Sequence, residues 1–235
     1  MTGRQTQNTI ADRLAAVEER IVRACARAGR PRREVSLMAV SKFHDSDEIR
    51  EAIHAGVGLF GENRVQEAER KFPALRAEHP VSLHLIGSLQ RNKAKSALAV
   101  FDAIQSLDRD ELIHALVKHI PAKDTFPVLL ELHTSEESKS GYPDVESLFR
   151  AADIIFGCGV LRLSGLMTMA PFTGNKGAIR QSFKKLRKAR DELKLRFPRA
   201  DLDILSMGMT NDFEIAVEEG ATLLRIGTAI FGERP

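Results

Sequence analysis

Cysteine, aromatic side chains and long apolar runs are all scarce in this chain of 235 residues. Its two cysteines, Cys25 and Cys158, form neither a C-x-x-C pair nor a disulfide framework, which fits a reducing compartment. No uninterrupted apolar segment approaches the roughly 18 residues of a membrane span, and residues 1–8 lack the order of a secretion signal. We therefore expect a cytoplasmic protein without a membrane partner.

The charge balance and the shortage of aromatic side chains argue against a nucleic-acid partner. Lysine and arginine number 35 against 32 aspartates and glutamates, so the net charge is only +3. There is no tryptophan and one tyrosine for base stacking. Five histidines lack H-E-x-x-H spacing and partnering cysteines, so no metal site is expected. They are His79, His84, His114, His119 and His133.

The chain is long enough for one well-buried domain, which we place at residues 1–235. Apolar residues recur at helical spacing from Ile10 to Ala28, and Gly29 and Pro31 follow them. This pattern predicts a leading amphipathic helix over about residues 9–28. We expect its apolar stripe to pack on the rest of the protein, and self-association is the alternative.

From about residue 35 onward, short apolar runs alternate with helical patterns, as in α/β proteins with a parallel sheet. The predicted strands cover residues 36–40, 58–60, 83–86, 103–105, 127–132, 162–166, 202–205 and 223–226. Eight such units predict a single (β/α)8 TIM barrel over about residues 35–235. A doubly wound open sheet is the competing topology, because periodicity does not reveal strand order.

Lys42 ends the apolar run of the first predicted strand, where barrel enzymes carry reactive groups. Desolvation there would lower the pKa of its ammonium group and release an amine able to attack an aldehyde. Taken alone, a lysine that simply reaches solvent is the more common situation. The sequence therefore makes Lys42 a candidate and no more.

Two polar residues follow or interrupt neighbouring strands. Asn63 comes after the second strand and either caps the next helix or binds a ligand's ring substituent. His84 lies within the third strand, where alternation turns it away from Leu83 and Leu85. A buried, hydrogen-bonded histidine and a histidine that contacts a flat cofactor are both open interpretations.

The loops after the last two strands combine glycine with hydroxyl side chains. Ser206 to Thr210 follows the seventh strand, and Gly227-Thr228 follows the eighth. Barrels commonly bind phosphate at these loops, through backbone N–H groups, hydroxyls and a helix N-terminus. Arg225 shares a strand face with Gly227, so it should enter the barrel mouth. Facing a pyridine nitrogen, its guanidinium would disfavour ring protonation and weaken the ring as an electron sink.

Short motifs in a fixed order run through nearly the whole chain. They include Ala39-Val40-Ser41-Lys42, Phe60-Gly61-Glu62-Asn63-Arg64-Val65-Gln66-Glu67, His84-Leu85-Ile86-Gly87, Ser206-Met207-Gly208-Met209 and the segment from Arg225 to Gly232. Together they resemble the pyridoxal phosphate homeostasis proteins. Phe43 and His44 depart from that family, in which a polar residue and a proline often follow the lysine.

The resemblance implies a barrel similar to the N-terminal domain of alanine racemase, with pyridoxal 5'-phosphate (PLP) held as a Schiff base on Lys42. It implies that Ser206, Gly227 and Thr228 hold the phosphate and that Arg225 faces the pyridine nitrogen. Asn63 and His84 would lie near the ring, and Met167 and Met209 would line the pocket.

The family is regarded as a cofactor carrier or regulator without an established catalytic reaction. The expected partners are therefore the cofactor and PLP-dependent apoenzymes, and the chain is expected to be a monomer or weak dimer.

Two enzymatic alternatives stay open. A PLP-dependent amino-acid racemase would use Lys42 as one base and His84 or a partner's residue as the other. Alanine racemases supply a tyrosine from a second domain, whereas this chain's one tyrosine, Tyr142, is predicted to lie in a surface turn. A cofactor-free aldolase would instead join Lys42 to a sugar phosphate. With Arg225 weakening the ring, we favour binding and delivery over rapid turnover.

Overall fold

The computed structural model describes residues 9–135 and 140–233, and its strands form a closed parallel barrel in the order β1 to β8. The strands are β1 (Ser36–Val40), β2 (Leu59–Glu62), β3 (Ser82–Leu85), β4 (Ala103–Leu107), β5 (Phe126–Glu131), β6 (Leu161–Met167), β7 (Ile204–Ser206) and β8 (Leu223–Ile226). The barrel closes where Met38 of β1 pairs with Arg225 of β8. The predicted barrel is confirmed, and the open sheet is excluded.

One helix precedes the first strand, and the other helices follow the strands. They are α1 (Ile10–Arg27), α2 (Ser46–His54), α3 (Val65–Glu78), α4 (Ala94–Val100), α5 (Asp110–Val117), α6 (Val145–Cys158), α7 (Lys176–Arg196), α8 (Phe213–Glu218) and α9 (Thr228–Phe231). In the described part of the chain, no helix is both long and apolar enough to cross a bilayer.

The leading helix α1 begins at a capping box in which Thr9 and Asp12 satisfy each other's backbone N–H groups. It packs on α8 and α9. Arg20 forms an ion pair with Glu214 at 2.7 Å, and Arg13 Nε donates to the carbonyl of Ile230 at 2.6 Å. The helix therefore joins the start of the chain to its last elements.

Side chains alternate between two packed layers. Phe60 of β2 faces the helices and lies with its ring 5.8 Å from that of Phe72 in α3. Gly61, the next residue, faces the barrel interior, where an added Cβ would lie 2.7 Å from Met38 Sδ. Glycine thus leaves room for the side chain of Met38.

Two local expectations are corrected by the structure. β2 extends to Glu62, because this residue pairs in register with Leu85 of β3. The buried Glu62 carboxylate forms an ion pair with a lysine on α3. Tyr142 is only 4% exposed, so its predicted surface turn is wrong. Its hydroxyl donates to Asp110 Oδ1 at 2.9 Å, which ties the segment after β5 to α5.

Candidate functional site

A cavity of about 560 Å³ opens at the mouth where the carboxyl ends of the strands meet. It brings together six of the nine predicted site residues, drawn from both ends of the chain. They are Lys42, Asn63, Met209, Arg225, Gly227 and Thr228. A hollow of about 730 Å³ on the outer face beside α5 contains none of them. The barrel mouth is therefore the candidate site.

Lys42 lies in a tight turn directly after β1 and is half-buried. The N–H of His44 donates to the carbonyl of Ser41 at 3.2 Å, which closes the turn around Lys42 and Phe43. Phe43 has a φ of +70°, a conformation that suits glycine and costs a bulky residue about 1–3 kcal/mol. The lysine is thus carried by a strained turn, and such strain often occurs at functional sites.

The Phe43-His44 pair, which departs from the family pattern, has a defined place in this turn. His44 is buried, and its ring stacks on that of Phe231 at 4.6 Å between centroids. Its Nδ1 lies 3.1 Å from both carboxylate oxygens of Glu48. His44 therefore connects the lysine turn to α9, which begins at Thr228.

Arg225 reaches the cavity from β8 with almost its whole side chain buried. One terminal nitrogen, Nη1, donates to Ser206 Oγ at 2.7 Å, and Nη2 donates to the carbonyl of Thr168 at 2.8 Å. Burial lowers the pKa of Arg225 to about 10, opposed by the charges of Asp212 and Glu131. The guanidinium is therefore fixed in position and still cationic at neutral pH.

A chain of hydrogen bonds runs from Arg225 into the barrel interior. Ser206 accepts from Arg225 and donates to Gln105 Oε1 at 2.6 Å. The amide nitrogen of Gln105 lies 2.8 Å from His84 Nδ1. Since that amide is a donor, His84 Nδ1 accepts, and the ring proton belongs on Nε2. Burial lowers the pKa of His84 to about 4, so the ring is neutral at pH 7.

Three predicted site residues lie off the cavity wall. Ser206 is fully buried, with its hydroxyl committed to Arg225 and Gln105. Met167 is 1% exposed, and His84 contacts Gln105 below the mouth. The sequence predicts that Ser206 holds a phosphate, but it does not show that the hydroxyl is already hydrogen-bonded to Arg225 and Gln105.

Other residues line the cavity that the sequence did not single out as ligand contacts. Thr210 lies in the loop after β7, and its Oγ1 accepts from the N–H of Ala229 at 3.3 Å. Asp212 is 6% exposed and accepts the N–H of Met209 at 2.5 Å. Burial raises the pKa of Asp212 despite nearby Arg225. The sequence could have indicated both residues, because a hydroxyl and a carboxylate within six residues of a strand end are candidates for ligand contact.

Beside the cavity, a charged pair supports the lysine turn from beneath. Glu62 is fully buried, and Lys71 Nζ lies 2.5 Å from its Oε1. Ser41 Oγ donates to the same oxygen at 2.8 Å. From the sequence, Glu62 is only part of a motif and Lys71 is not distinguished, because their pairing depends on how α3 packs on β2.

The family described as "Alanine racemase, N-terminal domain" matches residues 13–235. The "Pyridoxal phosphate homeostasis protein" of Aquifex aeolicus (strain VF5) is 40% identical over 224 residues, covering 95% of this chain and 97% of the relative. That of Escherichia coli (strain K12) is 36% identical over 230 residues, with 97% of each chain covered. The chain therefore belongs to the pyridoxal phosphate homeostasis proteins, within the alanine racemase N-terminal domain family.

Solved structures agree with this assignment. PipY of Synechococcus elongatus PCC7942, in its structure with PLP bound, is 35% identical with a TM-score of 0.83, and 95% of this chain and 100% of PipY are covered. Alanine racemase from Bacillus anthracis with bound L-Ala-P is 17% identical with a TM-score of 0.70. That match covers 94% of this chain and 57% of the racemase, and it shows a common fold.

Proposed function

We propose that this protein binds PLP in the barrel-mouth cavity, as an imine on Lys42, and serves the homeostasis of that cofactor without rapid turnover. The main observation in favour of this proposal is that Lys42, Arg225 and the Gly227-Thr228 loop line one cavity. A relative also supports the proposal, because PipY, which is 35% identical, has a structure with PLP bound.

The donor groups of the cavity fit an aldehyde with an anionic tail. The Lys42 amine and an aldehyde would form a C=N bond, and the carbonyl oxygen would leave as water. Gly227 approaches β1 so closely that a Cβ would lie 3.3 Å from the carbonyl oxygen of Val40. With the hydroxyls of Thr228 and Thr210 nearby, this loop can present donors to phosphate oxygens.

Arg225 favours a carrier over a fast enzyme. Its terminal nitrogens donate to Ser206 and Thr168, and these bonds hold the guanidinium in place. We place it against the pyridine nitrogen, with Asn63 and Met209 at the ring, and with His84, Met167 and Ser206 supporting from below. A cation there disfavours ring protonation, so bound PLP would supply only a weak electron sink.

The proposal extends to the protein's setting. We infer that residues 1–235 form one cofactor-binding domain, that the chain is a monomer or weak dimer, and that it works in the cytoplasm. PLP-dependent apoenzymes are the proposed recipients of its cofactor.

The deciding experiment is spectroscopic. Purified protein incubated with PLP should develop an imine absorbance band, and borohydride followed by peptide mapping should place the modification on Lys42. Lys42→Ala should lose the band while it keeps weakened binding of pyridoxine 5'-phosphate, which has no aldehyde. Lys188→Met, an exposed lysine on α7, is the control and should behave as wild type.

Two results would redirect the assignment. Trapping that requires a sugar phosphate in colourless protein would indicate an aldolase. Robust α-proton exchange of an amino acid in deuterated water would indicate a racemase, in which case the carrier role fails.

A further inference from the structure

Lys71 of α3 contacts both ends of the turn that carries Lys42. Its Nζ donates to the carbonyl of Ser41 at 3.0 Å, to the carbonyl of His44 at 3.2 Å and to Glu62 Oε1 at 2.5 Å. An ammonium group has three N–H donors, so these bonds use all of them. One side chain therefore holds together the two carbonyls that flank the turn.

Acidic residues from β2 and α3 complete the hold on this turn. Glu62 Oε1 also accepts from Ser41 Oγ at 2.8 Å, and Glu67 Oε2 lies 3.4 Å from the N–H of Phe43. Glu67 is also 3.8 Å from Lys71 Nζ. We call Glu62, Glu67 and Lys71 the turn clamp.

Burying the charges of Glu62 and Lys71 costs free energy, because both groups lose contact with water. Glu62 is fully buried, and its Oε2 has no hydrogen-bond partner among the described residues. Burial raises the pKa of Glu62, and the charge of Lys71 opposes that rise. Buried ion pairs of this kind are often no more stable than apolar replacements, so stability alone does not account for this one.

The strained backbone of the turn points to a geometric role for this ion pair. Phe43 holds a positive φ that an unrestrained chain would relax, and relaxation would redirect the adjoining Lys42. We propose that Glu62 and Lys71 are positioning residues, which hold the turn strained so that the Lys42 amine faces a carbonyl ligand in the barrel mouth. This inference rests on the proposed function of Lys42 and adds to it the device that aims the amine.

The test compares imine formation with simple binding. Glu62→Gln combined with Lys71→Met removes both charges together, so neither is left buried alone, and the glutamine can still accept from Ser41. At saturating PLP, we expect the rate of imine growth to fall at least about tenfold, because small displacements of reacting groups have large kinetic effects. Affinity for pyridoxine 5'-phosphate should change little.

A rescue variant and a matched control separate positioning from general damage. Adding Phe43→Gly should restore most of the lost rate, since glycine adopts the positive φ without a clamp. Arg76→Met is the control on the same helix. It removes a bond to the carbonyl of Val100 at 2.8 Å and an ion pair with Asp102, far from the lysine turn in the chain. This variant should form the imine at the wild-type rate.

The turn is also assayed without ligand. In cofactor-free protein, the double variant should show faster hydrogen exchange at the His44 amide, which closes the turn. Unchanged imine kinetics and unchanged His44 exchange in the double variant would overturn the positioning role. So would an equal loss in Arg76→Met. If wild type forms no bond at Lys42, the proposed function fails, whereas the exchange result still decides whether the clamp holds the turn.

Discussion

At the scale of single residues, the chain from Arg225 to His84 shows how burial sets the properties of the site. Each hydrogen bond in it runs in one direction, from Arg225 through Ser206 and Gln105 to His84. The arginine keeps its charge because burial lowers its pKa only to about 10, against the opposing charges of Asp212 and Glu131, and the histidine stays neutral because it is desolvated. The site thus combines a permanent cation with a neutral imidazole.

The neutral histidine predicts acid sensitivity. The pKa of His84 falls from its ordinary 6.5 to about 4 in the folded protein. The unfolded chain therefore binds a proton below pH 6.5 that the folded protein refuses, so stability falls as the pH falls toward 4. The full effect is about 3 kcal/mol, at 1.36 kcal/mol for each unit of pKa.

His84→Gln measures how much of the stability lost on acidification is due to His84, because glutamine can accept from Gln105 and does not titrate. Urea unfolding from pH 7.5 to 4.5 should show wild type losing stability relative to the variant as the medium is acidified. Parallel stability curves for the two proteins would contradict this assignment of the acid response to His84.

At the scale of elements, the sequence predicts the number of strands and their positions along the chain because apolar runs are local signals, whereas the order of strands in the sheet comes from the structure. The first and last predicted strands, residues 36–40 and 223–226, coincide with β1 and β8. The seventh predicted strand is residues 202–205, whereas β7 is Ile204–Ser206. Its ladder to β6 extends through Ser206, and that pairing is set by a distant strand rather than by local apolar residues.

The same limit explains which site residues were missed. Lys42, Arg225 and Gly227 follow or end strands, so barrel geometry alone brings them to one mouth. Lys71 lies within a helix, and nothing local distinguishes it from a solvated lysine. The hydroxyl of Ser206 makes it a candidate from sequence, but its bond to Gln105 joins β7 to β4 across the barrel, and that contact depends on the closed ring.

At Gly165 in β6, the close approach of β7 leaves no room for a side chain. Its φ is +152°, and an added Cβ would lie 1.9 Å from the carbonyl oxygen of Ile204 in β7. The β5–β6 register shifts just before it, between Val128 and Leu129. Gly165→Ala must push the two strands apart, and we expect it to cost more than about 3 kcal/mol.

Gly157 near the end of α6 is the matched control, since an added Cβ there meets nothing within 4 Å. Gly157→Ala should be neutral or stabilising by up to about 1 kcal/mol. Denaturant unfolding of both variants provides the comparison. Equal stabilities would show that the β6–β7 contact yields to a methyl group.

At the scale of the whole molecule, the candidate site depends on closure of the ring. Lys42 follows β1, and Arg225 to Thr228 comes from β8 and the start of α9, so the cavity combines the two ends of the sequence. The leading helix α1 reinforces this closure by binding α8 and α9. A ligand held by both ends should therefore stabilise the entire barrel as one unit.

Calorimetry tests this expectation. At a PLP concentration near 100 times Kd, a single unfolding transition should move upward by about 5–10 °C, since linkage supplies about 2.7 kcal/mol. Thr228→Val should leave the unliganded Tm unchanged and reduce this shift by about half or more, because one hydrogen bond to a charged group contributes about 1.5–3 kcal/mol. Two transitions, only one of which responds to PLP, would show that the ligand is held by one part of the barrel alone, and the site would then have to be reassigned to a single end of the chain.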